Sequence, residues 1–199
     1  MSTTFAASAF AELDKFKTPN FDGAAPWNYN DADEELAPIA KFLATKAKHE
    51  SEIDPSRIKF FYTTKVKKDG GKFVIGTLSA IDELNRMMND QYDYILCIYY
   101  PVWKDLDSKN KAIQLDKILC GVQLTPGKDA AEVNVKKKQT DSREYTENMK
   151  HFGEIEVLKS SEIVNLAVER ILEEEAEQKK IAKEQKKQAR EAKKNKGNE

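Results

Sequence analysis

The 199-residue chain is poor in the residue types from which most catalytic and metal sites are built. Two histidines, His49 and His151, exclude a histidine-rich metal site within one chain. Two cysteines, Cys97 and Cys120, are too few for a disulfide framework. Both sit in apolar text, Ile95-Leu96-Cys97-Ile98 and Ile118-Leu119-Cys120, and read as buried, reduced thiols. Neither has the electropositive setting of a reactive thiolate. Eight glycines include one adjacent pair, Gly70-Gly71, which lacks the spacing and the following helix of a phosphate loop. No CxxC and no GxSxG occurs. No apolar run approaches the roughly 18 residues of a membrane span. Met1 to Phe10 has neither a basic start nor a long apolar stretch, so it does not read as a secretory signal.

Charge of one sign also looks scarce, since the formal net charge is −1. The balance is uneven. Residues 178–199 carry nine basic side chains (Lys179, Lys180, Lys183, Lys186, Lys187, Arg190, Lys193, Lys194 and Lys196) and three acids, for +6. The other 177 residues hold 24 basic and 31 acidic side chains, for −7. An acidic body therefore carries a basic tail. These nine residues are the candidate polyanion- or partner-binding set, acting on nucleic acid by phosphate neutralisation. No aromatic is interleaved with them, so base stacking is not indicated.

Along the chain, residues 1–33 read as an irregular arm. Its aromatics (Phe5, Phe10, Phe16, Phe21, Trp27, Tyr29) are unusual for disorder and call for a docking surface, first of all the chain's own body. Asp31 or Asp33 is placed to cap a helix over 34–48. Ile58 to Thr64 reads as a strand, Lys67 to Lys72 as a hairpin turn, and Phe73 to Leu78 as the return strand. Tyr92 to Tyr100, without clean alternation, predicts a strand covered on both faces. Ser108 to Val122 predicts a helix and Ala131 to Lys137 an edge strand. Asp141 could cap a helix over 142–152. Ser160 or Ser161 is placed to cap a long final helix whose apolar stripe (Ile163, Leu166, Ala167, Ile171 and Leu172, joined by Val164 and Val168) stops at Leu172. The fold class is α+β: a small mixed sheet of about four strands packed with helices, plus a long C-terminal helix.

This order, and the text that fills it, resembles the phage metallopeptidase domain family, a zincin-like group of the SprT type. The matching stretches are Ile58-Lys59-Phe60-Phe61-Tyr62, Phe73-Val74-Ile75-Gly76-Thr77, Tyr92 to Tyr99, Val102-Trp103, Leu106-Asp107 and Leu115 to Gly121. Asp141 to Tyr145 and Gly153 follow. The resemblance covers roughly residues 34–154 and implies a zincin-like core. It also implies a central-helix HExxH within text like L-D-H-E-L-C-H, whose two histidines hold zinc while the glutamate activates water. Here Leu115, Asp116, Leu119 and Cys120 match the flanks. Lys117, Ile118 and Gly121 stand at the ligand, base and ligand positions. Thr140 stands where the family has a further histidine, Asp141 is retained, and Tyr145 replaces a phenylalanine.

A lysine cation is a poor zinc ligand, a glycine offers no side chain and an isoleucine cannot move a proton. The expected protein is therefore a degenerate member with no catalytic residue, no metal and no cofactor. It divides into the arm (1–33), the metallopeptidase-like domain (34–158) and the charged helix (159–199). The resemblance implies a viral or prophage source, with host cytoplasm or virion as location and a viral or host protein as partner. Nucleic acid is the alternative partner, through residues 178–199. A metal-dependent peptidase with an unconventional site is a further alternative. No membrane association is expected.

Overall fold

The computed structural model describes residues 5, 7–21, 27–47, 53–69, 72–82, 85, 88, 91–126, 133–137 and 145–196. The chain divides into two units, residues 1–164 and 165–199. The first unit is α+β, as its pattern of β-branched runs and amphipathic helices predicts. It holds β1 (Tyr29–Asp31), α1 (Asp33–Lys46), β2 (Ile58–Thr63), β3 (Lys67–Asp69), β4 (Lys72–Val74), β5 (Gly76–Ala80) and β6 (Tyr94–Tyr99). Then come a helical turn α2 (Tyr100–Trp103), the central helix α3 (Ser108–Cys120), β7 (Val122–Pro126), β8 (Val133–Lys137), α4 (Thr146–Phe152) and the start of α5 (Glu154–Lys196). Short 3-10 segments, Ala7–Lys15 and Pro55–Arg57, precede α1 and β2.

The main sheet has the order β1-β2-β6-β5. β2 and β6 run parallel in its middle, with Phe60 beside Leu96 and Tyr62 beside Ile98. The edges are antiparallel. Phe60, Tyr62, Leu96 and Ile98 are fully buried, as are Leu36 and Leu43 of α1 and Leu115 of α3. Each such side chain contributes about 1.5–3 kcal/mol of burial. α1 packs on β2, and α3 packs on α1, β5 and α4.

Several expectations are corrected. The hairpin between β2 and its return strand does not form. β3 and β4 make a small separate hairpin, and β5 crosses to pair with β6. The chain bends at Ile75 because Gly76 is pressed against its neighbours. A Cβ there would lie 2.6 Å from Ile98 Cδ1, 2.7 Å from Ile118 Cδ1 and 2.8 Å from the Cys97 carbonyl oxygen. Gly76→Ala is thus expected to lower stability by about 1–3 kcal/mol through overpacking. A thermal melt indistinguishable from the native one would refute that close approach.

β6 is buried on one face only, since Ile95 and Cys97 are half-buried. An apolar run alone does not distinguish one covered face from two. α3 ends at Cys120, and Val122 already belongs to β7, which pairs with β8 as a two-stranded sheet. The arm contributes β1 to the main sheet and the Phe5 and Phe10 rings to the core, while Tyr29 is exposed. Phe5 stacks on Phe152 at 4.7 Å, and Phe21 and Trp27 lie against Tyr100 at 5.2 and 5.5 Å. The helix expected over 142–152 is described from Thr146; Thr140 and Asp141 lie outside the described residues, as does His49.

Neither Asp31 nor Asp33 is the capping residue of α1; Ala32 flanks it. Asp33 instead accepts the Phe60 N–H at 2.9 Å and binds Lys59, which also binds Asp31. Burial would raise the Asp31 carboxyl, but hydrogen bonds from Lys59 and the Asp33 backbone leave it below its ordinary value. Burial likewise opposes the Lys59 cation, and the two aspartates raise its pKa in spite of it. The Asp31 contribution to stability is therefore present above 3.8 and lost as pH falls through the lower folded value. That of Lys59 is present below 10.5 and lost as pH rises through the higher one. Asp31 is 58% exposed, so the effect is small. Urea midpoints of Asp31→Asn are expected to fall less steeply below pH 4 than native ones; equal slopes would refute the assignment.

α5 begins at Glu154, well before Ser160 and Ser161. Gly153, at φ 91°, supplies the break from α4 in a conformation that favours glycine. The two serines lie inside the helix and serve as partners for α3. Ile163, read as part of an apolar stripe, is 45% exposed, whereas Val164 is buried.

In the second unit, residues 165–196 are helical, and every side chain described from Glu173 to Lys186 is exposed. Alanine, glutamate, lysine and glutamine sustain the helix there. Ion pairs at i,i+4 support it, Arg170 with Glu174 at 3.7 Å and Lys179 with Glu175 at 3.3 Å. No helix among the described residues is long and apolar enough to cross a membrane.

Candidate functional site

The central helix α3 is buried around most of its circumference, and its polar side chains reach different partners. Asp107 starts it by accepting the Asn110 N–H at 2.7 Å. Lys111 reaches Glu35 of α1 at 2.8 Å. Gln114 donates to Ser160 at 2.9 Å and Lys117 to Ser161 at 3.0 Å. Asp116 turns toward α4. Two clusters of buried ionisable groups result.

In the first, Glu35 is fully buried and every contact offered to its carboxylate is a donor. Thr18 and Lys111 reach Oε1 at 2.7 and 2.8 Å, Trp103 reaches Oε2 at 3.2 Å, and the Tyr62 hydroxyl also donates to Oε2. Burial, followed by the charge of Glu35, holds the Tyr62 phenol far above its usual pKa. The donors saturate the carboxylate, so this cluster is a strut between α1, β2 and α3.

In the second, the fully buried Asp116 carboxylate gathers three side chains. His151 Nδ1 lies 3.1 and 2.9 Å from its two oxygens. The Asn148 amide donates to Oδ2 at 2.7 Å and to the Ile113 carbonyl at 3.3 Å. The Cys120 thiol lies 3.4 Å from Oδ2. Asp116 and Cys120 stand one helical turn apart, which puts both on one face. His151 arrives from α4, held from behind by the Phe5 ring and by the Phe5 N–H on its carbonyl at 3.2 Å. Burial opposes the charged imidazole, but the Asp116 hydrogen bond and charge, helped by Glu147, raise the His151 pKa above its ordinary value.

The sequence places His151 outside the central helix and so discounts it as a substitute ligand. The fold brings it against that helix. The i,i+4 pair Asp116 and Cys120 was the available signal, but nothing local links it to residue 151. The thiol faces the carboxylate and all three groups are buried, so the cluster is arranged to hold a proton or a cation and not to attack a substrate.

The three positions that the resemblance assigns to zinc chemistry are filled by packing. Lys117 is spent on Ser161. Ile118 lies against the Gly76 backbone. Gly121 abuts Tyr145, whose ring would stand 2.9 Å from a Cβ at that position. These residues do not fit a catalytic zinc. Of the basic candidates, Lys179, Lys180, Lys183 and Lys186 are exposed, and Lys187, Arg190, Lys193, Lys194 and Lys196 continue the same helix. At 100° per residue, all of these positions except 196 fall within about 140° of the helix circumference. All nine belong to the second unit.

Comparison with protein families gives a model described as "Putative phage metallopeptidase", matching residues 27–176, from β1 into the second unit. No curated protein and no solved structure matches the chain.

Proposed function

The chain belongs to the phage metallopeptidase family whose model spans residues 27–176, and from that membership we propose that it is a non-catalytic member acting as a binding or structural protein. One observation carries the reading: Lys117, Ile118 and Gly121 offer neither ligand nor base, and each is engaged in packing. The family name points to a phage or prophage setting, with the virion or the host cytoplasm as the place of action and a viral or host protein as the partner. The full chain, incubated with a mixed peptide library and Zn²⁺, is expected to release no fragments. Cleavage that a chelator abolishes would overturn the reading.

A second reading is favoured by the one-sided distribution of the tail lysines. On it, residues 178–199 bind nucleic acid through its phosphates. Deleting them is then expected to abolish duplex binding and its dependence on salt. Unchanged affinity and an unchanged salt slope in the truncated chain would sink this reading.

A further inference from the structure

We propose that Asp116, Cys120 and His151 supply three ligands of a buried site for one divalent transition-metal ion, of which zinc is the type, clamping α4 to α3. The site is separate from the positions of the family's catalytic motif. It uses Asp116 and Cys120, which flank those positions, and a histidine from another helix.

The donor set is the first argument. A carboxylate oxygen, a thiol sulfur and an imidazole nitrogen lie within 4.8 Å of one another, all three residues buried. This mixture suits zinc or cobalt, whereas magnesium and calcium take oxygen ligands. Spacing is the second. Tetrahedral ligands at zinc bond lengths stand about 3.3–3.6 Å apart. The pairs here are 2.9–3.1 Å (Asp116–His151) and 3.4 Å (Asp116–Cys120). The third pair, Cys120 and His151, lies within 4.8 Å, so an ion seated among the three draws its ligands to tetrahedral spacing by side-chain adjustment.

Charge is the third argument. The ion displaces the Sγ proton to solvent and takes the Nδ1 lone pair of a neutral imidazole whose one proton sits on Nε2; an imidazolium first loses its Nδ1 proton to solvent. Carboxylate and thiolate then neutralise the divalent charge, and the buried complex is neutral, which a low-dielectric interior favours. The surroundings supply the fourth. Asn148, fully buried, donates to Asp116 through Nδ2, the kind of outer contact that orients a ligand. Its Oδ1 is buried with no hydrogen-bond partner among the described residues, so a polar atom beside the cluster remains to be satisfied. Glu147, buried and electrostatically coupled to His151, lies in the same shell.

The test uses the full chain, purified under reduction and titrated with Co²⁺ alone and then with Zn²⁺. One cobalt per chain with a thiolate-to-metal charge-transfer band is expected, and zinc should bleach it. Cys97→Ser should keep the band, and Cys120→Ser should lose it. As a control that does not depend on the folding of Cys120→Ser, a chelator is also applied to the native protein, where removal of zinc should lower the melting temperature. His151→Gln should bind cobalt at least tenfold more weakly. Absence of a stoichiometric thiolate band in the reduced native chain overturns the proposal, as does a band that survives in folded Cys120→Ser. These outcomes are independent of the peptide-library result. Cobalt binding without cleavage leaves both readings standing, cleavage with the band intact removes only the non-catalytic one, and failure to bind metal removes only this one.

Discussion

Replacing Lys111 by methionine is expected to lower the unfolding free energy by about 3–5 kcal/mol. The reason is the environment of Glu35. Its carboxylate is 0% exposed and faces Lys111 at 2.8 Å, with the ammonium only 9% exposed. Methionine fills the space of the lysine stem but leaves the carboxylate's charge buried. The hydrogen bonds from Thr18, Trp103 and Tyr62 then share a burden that the cation had carried. Glu35→Gln alone strands the Lys111 cation and should cost a similar amount. Glu35→Gln with Lys111→Met removes both charges while keeping an acceptor for the indole and the phenol. The double variant is therefore expected to lose less than the sum of the singles, a coupling of about 1–3 kcal/mol. Urea unfolding of the four proteins closes the cycle. Additive losses, or a Lys111→Met cost below about 1 kcal/mol, would show that the two charges do not depend on each other.

That strut also shows which parts of the fold were legible in the sequence. Local signals located α1, β2, β6 and α3, because each carries its own periodicity or β-branched run. What failed was pairing over distance. β5 reads as the return arm of a hairpin from β2, yet it lies on β6, since Gly76 permits a backbone approach that no local pattern announces. Ser160 and Ser161 read as helix caps and are instead acceptors for Gln114 and Lys117, a use fixed by tertiary contact. The same holds for the clusters on α3. Asp116 and Cys120 are visible as an i,i+4 pair, whereas nothing in the polar text Ser108-Lys109-Asn110-Lys111 marks Lys111 for burial. Their partners, His151 and Glu35, stand 35 and 76 residues away. The family, by contrast, was legible, because the order of elements and stretches such as Leu115-Asp116 and Leu119-Cys120 on the central helix carry the resemblance.

The second large effect concerns that motif. Restoring it with Lys117→His, Ile118→Glu and Gly121→His is expected to destabilise the chain without producing peptide hydrolysis. Gly121 is buried, and a Cβ there would meet Cε2 and Oη of Tyr145 at 2.9 Å. An imidazole must displace that ring, itself 6% exposed, at a cost of about 1–3 kcal/mol. Ile118→Glu puts a carboxylate among Gly76, Ile98 and the Cys97 carbonyl, where no donor among these groups compensates it. Lys117→His gives up the Ser161 hydroxyl. The decisive control is Gly121→His in a Tyr145→Ala background. If the ring fills the ligand position, removing it makes room, and the double variant should be more stable than the sum of the two single losses allows. Thermal melts of the four proteins read this directly. If Gly121→His melts with the native chain, or if the triple variant cleaves peptides in a chelator-sensitive way, then packing does not close this site. If the losses are as expected, the family fold has been kept for its framework. The face that would hold a catalytic ion is then occupied by its own side chains, while Asp116 and Cys120, about 100° round the helix from Lys117 and Gly121, meet one another and the Asn148 and His151 side chains of α4.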